Sequence, residues 1–309
     1  MNKETFIYFV RTIFLLLLTS YVVDKVIYLS IGHIEKQVFS GQNVGKVNYY
    51  LSIKDTSDLI VFGSSRANHH INTSNGYGFN MGMDGRKIAF HNTLIKLLPK
   101  NLKQTVLLHL DPGEFFNENY DGIDITMLKN LFHRNKTVNN EIKKLKQNDP
   151  LSNFYYSILY NGKVLSILKN YFYPNYNFKN YSGYDPIYPS NSQNLVFKEL
   201  LEKYEFKKNC NQNLKINNLY DNYLNEIISF CKNNNKKLIV FTSPKYYDDC
   251  DDDNILFKSI MKDKGINYFD YTNFFQSINN IKYWKDLTHL SHLGADIFTK
   301  KIKELTFKP

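Results

Sequence analysis

Ser65 stands in the run Gly63-Ser64-Ser65-Arg66, directly after the apolar stretch Asp58–Phe62, and far downstream Asp286 precedes His289 by three residues. These residue types carry a particular chemistry. A serine hydroxyl is a weak nucleophile until a base takes its proton. Histidine is such a base near neutral pH, and a carboxylate can hold its second ring N–H. The Asp-x-x-His spacing lets one short loop supply both the base and the acid that orients it. Gly63 permits a tight bend, and backbone N–H groups after such a bend can meet a developing oxyanion. The chemistry implied is acyl transfer through a serine ester, for which no metal and no organic cofactor is expected.

Plainer roles compete for the same residues. Ser64 and Ser65 could cap a helix, and Asp286 could cap the last one with His289 in its first turn. Asp286, His289 and His292 could also face a metal from one helical face, but no fourth ligand is evident. His292 is expected to pack at the helix start. The acidic run Asp248–Asp253 lacks the spacing and glycine of an EF-hand loop, so a solvated loop is expected there. His69 and His70 are expected on an exposed loop. Arg66 is expected to pair with Asp111 in preference to holding an anionic substrate group, and Ser243-Pro244 to end a strand.

The elements that must position these groups are legible as short apolar runs. Strands are expected at Asp58–Phe62, Thr105–Leu110, Lys237–Thr242 and Ile266–Tyr271, with a shorter one at Tyr77–Met81. Helical spacing marks Arg86–Leu98, Asn218–Asn233, Ile255–Lys262 and His292–Leu305. Apolar strands alternating with helices imply an α/β fold, with a parallel sheet covered by helices on both faces. In such sheets functional groups gather at the C-terminal strand ends, where Ser65, Asp111 and Ser243 all stand. Residues from about 117 to 213 are rich in Tyr, Asn and Lys and carry four of the chain's prolines, and read as a helical and loop insertion.

The N-terminus is apolar from Phe6 to Val23, with Arg11 as its one charge. Eighteen such residues can just span a bilayer. Lys3 and Arg11 favour a cytoplasmic N-terminus, and no Ala-x-Ala cleavage site follows. Residues 1–32 are therefore expected to be an uncleaved single-pass anchor and its flank, with 33–309 an extracytoplasmic α/β domain. A span starting after Arg11 would have to carry Asp24 and Lys25. Ser30–Thr56 reads as a connecting stretch. The chain of 309 residues has a net charge of +10, with 43% hydrophobic and 22% charged residues, which is a globular balance. Its basic residues are scattered, so no nucleic-acid partner is expected. Cys210, Cys231 and Cys250 form no Cys-x-x-Cys pair. One disulfide with one free thiol, and three inert thiols, both remain open.

Strand-then-Gly-x-Ser near one end and Asp-x-x-His near the other resembles the SGNH (GDSL-like) hydrolase superfamily. The matching residues are Asp58–Phe62, Gly63-Ser64-Ser65, Asn80-Met81-Gly82 and Asp286-Leu287-Thr288-His289-Leu290. The resemblance covers the core from about residue 57 to 305, without the insertion. It implies a flavodoxin-like three-layer sandwich, Ser65 as nucleophile, and Asp286 and His289 as its base pair. It further implies an oxyanion hole from the Ser65 and Gly82 N–H groups, with Asn80 and Arg66 near the substrate. Gly-Ser-Ser replaces the family's Gly-Asp-Ser, Arg66 an aliphatic residue, and only Asp111-Pro112-Gly113 stands where the third block should. The anchored Gly-Ser-Ser-Arg variety looks like the branch that esterifies or de-esterifies cell-surface polymers. The implied partners are an acylated glycan or polymer and a membrane-bound acyl donor protein. A non-catalytic cell-envelope protein that keeps the fold for glycan binding or assembly is the alternative.

Overall fold

A computed structural model describes residues 2–306 except 75, 177, 209, 211, 212 and 279. In chain order the elements are α1 (Lys3–Lys36), α2 (Lys46–Ile53), β1 (Leu59–Phe62), α3 (Ser65–His70), β2 (Phe79–Asn80) and α4 (Ile88–Ile95). There follow β3 (Gln104–His109), α5 (Pro112–Phe115), α6 (Lys136–Lys144), α7 (Val164–Phe172), α8 (Phe178–Tyr181) and α9 (Asn191–Lys203). The chain closes with α10 (Asn218–Asn233), β4 (Lys236–Thr242), α11 (Asp251–Asp263), β5 (Tyr268–Asp270) and α12 (His292–Thr306). Two compact units result: Met1–Asn48 with Thr126–Tyr176, and Tyr49–Ile125 with Asn177–Pro309.

The first unit is organised by α1. Its start is capped by Asn2, whose side chain accepts from the Thr5 N–H at 2.8 Å. Residues 2–23 are exposed, and the helix is long and apolar enough to cross a membrane. From Asp24 onward its character changes. Asp24, Tyr28, Gly32 and Glu35 are buried at spacings of four, four and three, which is one helical stripe. Asp24 accepts from the Tyr156 and Ser157 N–H groups at 2.7 and 2.9 Å. Glu35 is wholly buried and receives Arg134, the Tyr160 hydroxyl at 2.8 Å and the Asn130 amide at 2.5 Å. A Cβ at Gly32 would stand 3.0 Å from the Tyr160 hydroxyl, so the missing side chain lets that ring approach. The expected connecting stretch Ser30–Thr56 is thus largely helical, with α1 reaching Lys36, a π-type turn at Gly41–Gly45 and then α2. The residues of this stretch that α1 buries, Gly32 and Glu35, are not apolar, so apolar periodicity could not reveal that the helix continues.

The second unit holds a five-stranded, all-parallel sheet in the order β2-β1-β3-β4-β5. Every residue of β1 is buried, so side chains of both parities are covered, as a parallel sheet requires. Leu59, Val61, Leu107, Ile239 and Phe241 share a core with Ala67 of α3, Ile71 just after it, and Ala295, Phe298 and Ile302 of α12. The alternate residues Ile60, Phe62, Val106, Leu108 and Val240 are also fully buried, and α10 packs against β4 and α4. Full burial of one such side chain contributes roughly 1.5–3 kcal/mol. After β1 the chain steps to one side for β2 and returns on the other for β3. The C-terminal ends of β1 and β3 therefore flank a topological switch point, the usual crevice for a ligand.

The strands and helices expected in this unit match to within a few residues, but the acidic run does not. The acidic run is no solvated loop: Asp251–Asp253 form the first turn of α11, where negative charge favours a helix start. Asp248 is buried and paired with Lys245 at 3.0 Å. Cys210 and Cys250 form a disulfide, and Cys231 is a buried free thiol.

Candidate active site

Gly63 ends β1 with φ +141°, a backbone state that side chains rarely adopt. A Cβ there would fall 2.7 Å from that of His109 and 2.9 Å from that of Ala67, so only glycine fits the bend. The bend delivers Ser65 to the first position of α3. That helix is short and needs help to stop. Asn80, fully buried, donates its amide to the carbonyls of Ala67 and Ile71 at 2.8 Å each. Asn80 is therefore a brace for α3, not the substrate contact that was expected.

The loop opposite is closed on itself. Trp284 and Leu290 form an antiparallel bridge, and the Lys285 N–H donates to the His289 carbonyl at 2.9 Å. Within it Asp286 Oδ1 accepts from the Thr288 and His289 N–H groups at 2.9 and 2.8 Å. His289 Nδ1 lies 3.0 Å from both Asp286 oxygens, and its Nε2 lies 2.9 Å from Ser65 Oγ. Serine, imidazole and carboxylate thus form one unbroken relay. Burial pushes the Asp286 carboxyl up, but the His289 ring and the Thr288 and His289 N–H groups outweigh it and hold it well below the usual range. It stays a carboxylate at any working pH and fixes the tautomer that leaves Nε2 free to accept from Ser65.

His69 and His70 were expected on an exposed loop; both are buried in α3. His70 Nε2 accepts from the Leu290 N–H at 3.0 Å, tying α3 to the His289 loop. Burial, and after it the nearby Arg66, push the His70 ring well below the usual histidine range, so it serves as a neutral acceptor. His69 bonds the Asp185 carbonyl at 2.7 Å and Asp84 at 3.2 Å. Both rings stand edge-on to His289, at 5.8 and 6.3 Å between centroids. The sequence offered no sign of this, because the Asp185 carbonyl and the Leu290 N–H are more than a hundred residues away.

Ser65 and His289 open into a cavity of about 260 Å³, which Arg66, Gly85, Arg86, Lys87, Asp111 and Lys245 help to line. Arg66 is buried against Asp111, the expected ion pair. Burial lowers its guanidinium to about 10, still charged at neutral pH, with Asp248 and Glu114 working the other way. Lys87 pairs with Glu114. Four cationic side chains face the carboxylates of Asp111 and Glu114 in the lining, with Asp248 paired to Lys245, which leaves a small positive excess.

Gly82 does not take the position expected of it. Its N–H donates to Asn80 Oδ1 at 2.8 Å, and a Cβ there would lie 2.5 Å from the Asn68 nitrogen, so Gly82 is a packing glycine. The cavity is lined instead by Gly85, at φ +66° with open space beside it. Among the described residues, neither the Ser65 nor the Gly85 N–H meets an acceptor. The available signal was the second glycine of Asn80-Met81-Gly82-Met83-Asp84-Gly85.

A metal reading gains nothing. His292, the third residue of that set, bonds the Ile187 carbonyl at 3.3 Å and packs on Tyr188 instead of joining Asp286 and His289. Cys210, Cys250 and Asp252 lie close enough together for a metal, but the two sulfurs are bonded to each other. No family model matches the chain, and no curated protein matches it in sequence.

Proposed function

We propose that the chain is a serine-dependent acyl ester hydrolase or O-acyltransferase of the SGNH (GDSL-like) type, acting on a cell-surface glycan or polymer. The observation that carries this is the relay Ser65 Oγ–His289 Nε2, 2.9 Å, with His289 Nδ1 on Asp286 at 3.0 Å. His289 takes the Ser65 proton as the oxygen attacks an ester carbonyl, and Asp286 stabilises the imidazolium. The N–H groups of Ser65 and Gly85 would receive the oxyanion, Gly85 in place of Gly82. His289 then returns the proton to the leaving alcohol. Water, or a sugar hydroxyl, accepts the acyl group from the serine ester.

The strand order 2-1-3-4-5 is that of flavodoxin-like sheets and supports the three-layer reading. The positive cavity suits a substrate with an anionic group near the ester. An anchor in α1, with its N-terminus cytoplasmic, would put the α/β unit outside the cell, next to surface polymers and a membrane-bound acyl donor. The Cys210–Cys250 disulfide suits that oxidising side. The alternative, a glycan-binding scaffold, draws on the absent third block: Asp111 there holds Arg66.

The test is labelling of the full chain in detergent with a fluorophosphonate probe. Wild type should label, and Ser65→Ala and His289→Ala should not. A folded wild-type protein that fails to label would overturn the enzyme reading and leave the scaffold.

A further inference from the structure

The first unit presents a second apolar feature beside α1. Leu151 and Phe154 are 58% and 67% exposed. They belong to a short stretch that runs along α1 where its exposed part ends. The Tyr155 hydroxyl lies 3.0 Å from Ser20 Oγ. Lys25 donates to the Phe154 carbonyl, and its ammonium stands 4.4 Å over the Tyr21 ring and 3.4 Å over the Tyr156 ring. Asp24 is buried against the Tyr156 and Ser157 N–H groups.

These contacts fix a depth. Residues 4–23 would rise about 30 Å as a helix, the thickness of a bilayer's hydrocarbon core. The unbroken exposed run stops at Val23 and Asp24 is enclosed by protein; beyond it only part of the helix surface, with Val26, Ile27 and Leu29, stays exposed, which puts the hydrocarbon boundary near residues 20–24. A span shifted past Arg11 would instead bring Asp24, Lys25 and the chain bonded to them into hydrocarbon, a cost that the Asp24–Lys25 pair and the N–H groups bonded to Asp24 offset only in part. Leu151, Phe154 and Tyr155 then lie at the boundary, with the Tyr and Lys residues that favour the headgroup layer. Exposed Leu and Phe there lose water by entering the acyl edge, while the backbone stays bonded to α1.

We propose that residues 150–156 form a second membrane contact, with Leu151 and Phe154 inserted into the interfacial layer of the leaflet through which α1 leaves. This rests on the anchor reading of α1 and not on the catalytic reading.

The test places a tryptophan at each site in the full chain and reconstitutes it in phosphatidylcholine vesicles with brominated acyl chains. Leu17→Trp reports on α1 and Phe154→Trp on the second contact. The chain's own Trp284 is buried, and the wild-type signal is subtracted. The expected result is a blue-shifted Phe154→Trp emission, quenched to an extent approaching that of Leu17→Trp. Quenching of Leu17→Trp alone, with a water-like Phe154→Trp emission, overturns the proposal. A blue-shifted but unquenched Phe154→Trp overturns it in favour of a protein partner such as a second copy. Absence of quenching at both sites removes the anchor, and the proposal with it.

Discussion

Two acids organise this molecule, one in each unit, and they are used in opposite ways. Glu35 is wholly buried and is met by Arg134, Asn130 and Tyr160. Its network closes on itself. Asp286 keeps 40% of its side chain exposed and is met by backbone N–H groups and one imidazole. Its network runs outward through His289 to a serine on a cavity. Both are charged groups held by several donors. The difference lies in where the chain of bonds ends: on protein it holds the fold together, and at a cavity it is available for chemistry.

The sharpest way to break this contrast is Asp286→Asn. It keeps the shape but loses the charge and the correct ring tautomer, so fluorophosphonate labelling should slow by about 10³–10⁴-fold. Stability should change little, because the loop is held by its own bridge and by His70. Denaturation and labelling rate measured on one preparation check both halves. A variant that labels at the wild-type rate would put Asp286 with Glu35 as a structural acid.

Glu35→Gln should do the reverse. Removing the charge leaves Arg134 without its partner and should cost about 2–3 kcal/mol, less than for a fully buried pair because Arg134 keeps some solvent. The labelling rate at Ser65 should stay at the wild-type value. Urea denaturation of the full chain in detergent, beside the labelling assay, reads both.

The smallest expected effect is a pH slope. Burial, and after it Arg66, hold His109 neutral in the folded chain, well below the usual histidine range. The unfolded chain binds a proton at this residue below about pH 6.5, so His109 contributes a loss of stability as pH falls through that point. His69, whose bonds to Asp84 and the Asp185 carbonyl overcome its burial and raise it, contributes in the opposite sense. The variant difference isolates one group. His109→Gln should lose less stability than wild type between pH 8 and pH 5, by urea denaturation at each pH, and equal losses would refute the assignment.

What the sequence showed and what it hid follow from distance along the chain. β1, β3 and β4 were legible because parallel strands buried on both faces are continuous apolar runs. Asp286 and His289 were legible because three residues separate them, and Gly63 with Ser65 because a strand must end before a side chain can turn outward. The fate of Gly82 depends on whose oxygen its N–H meets, which residue type alone does not state. The Glu35 cluster joins residues 95 to 125 positions apart, so no local pattern could show it. His70 was misread because its partner is the Leu290 N–H, 220 residues away.

That last bond bears on tolerance. Some 220 residues separate Ser65 from His289, the stretch 117–213 among them, and positional error would accumulate over such a length without a local tie. Instead α3 carries Ser65 at its first residue and, at its sixth, the ring that grips the His289 loop. The Ser65–His289 distance is gauged by one short helix and a seven-residue loop closed at Trp284 and Leu290. The intervening chain can therefore lengthen or shorten without resetting that gauge, so long as α3 and the closed loop keep their own bonds.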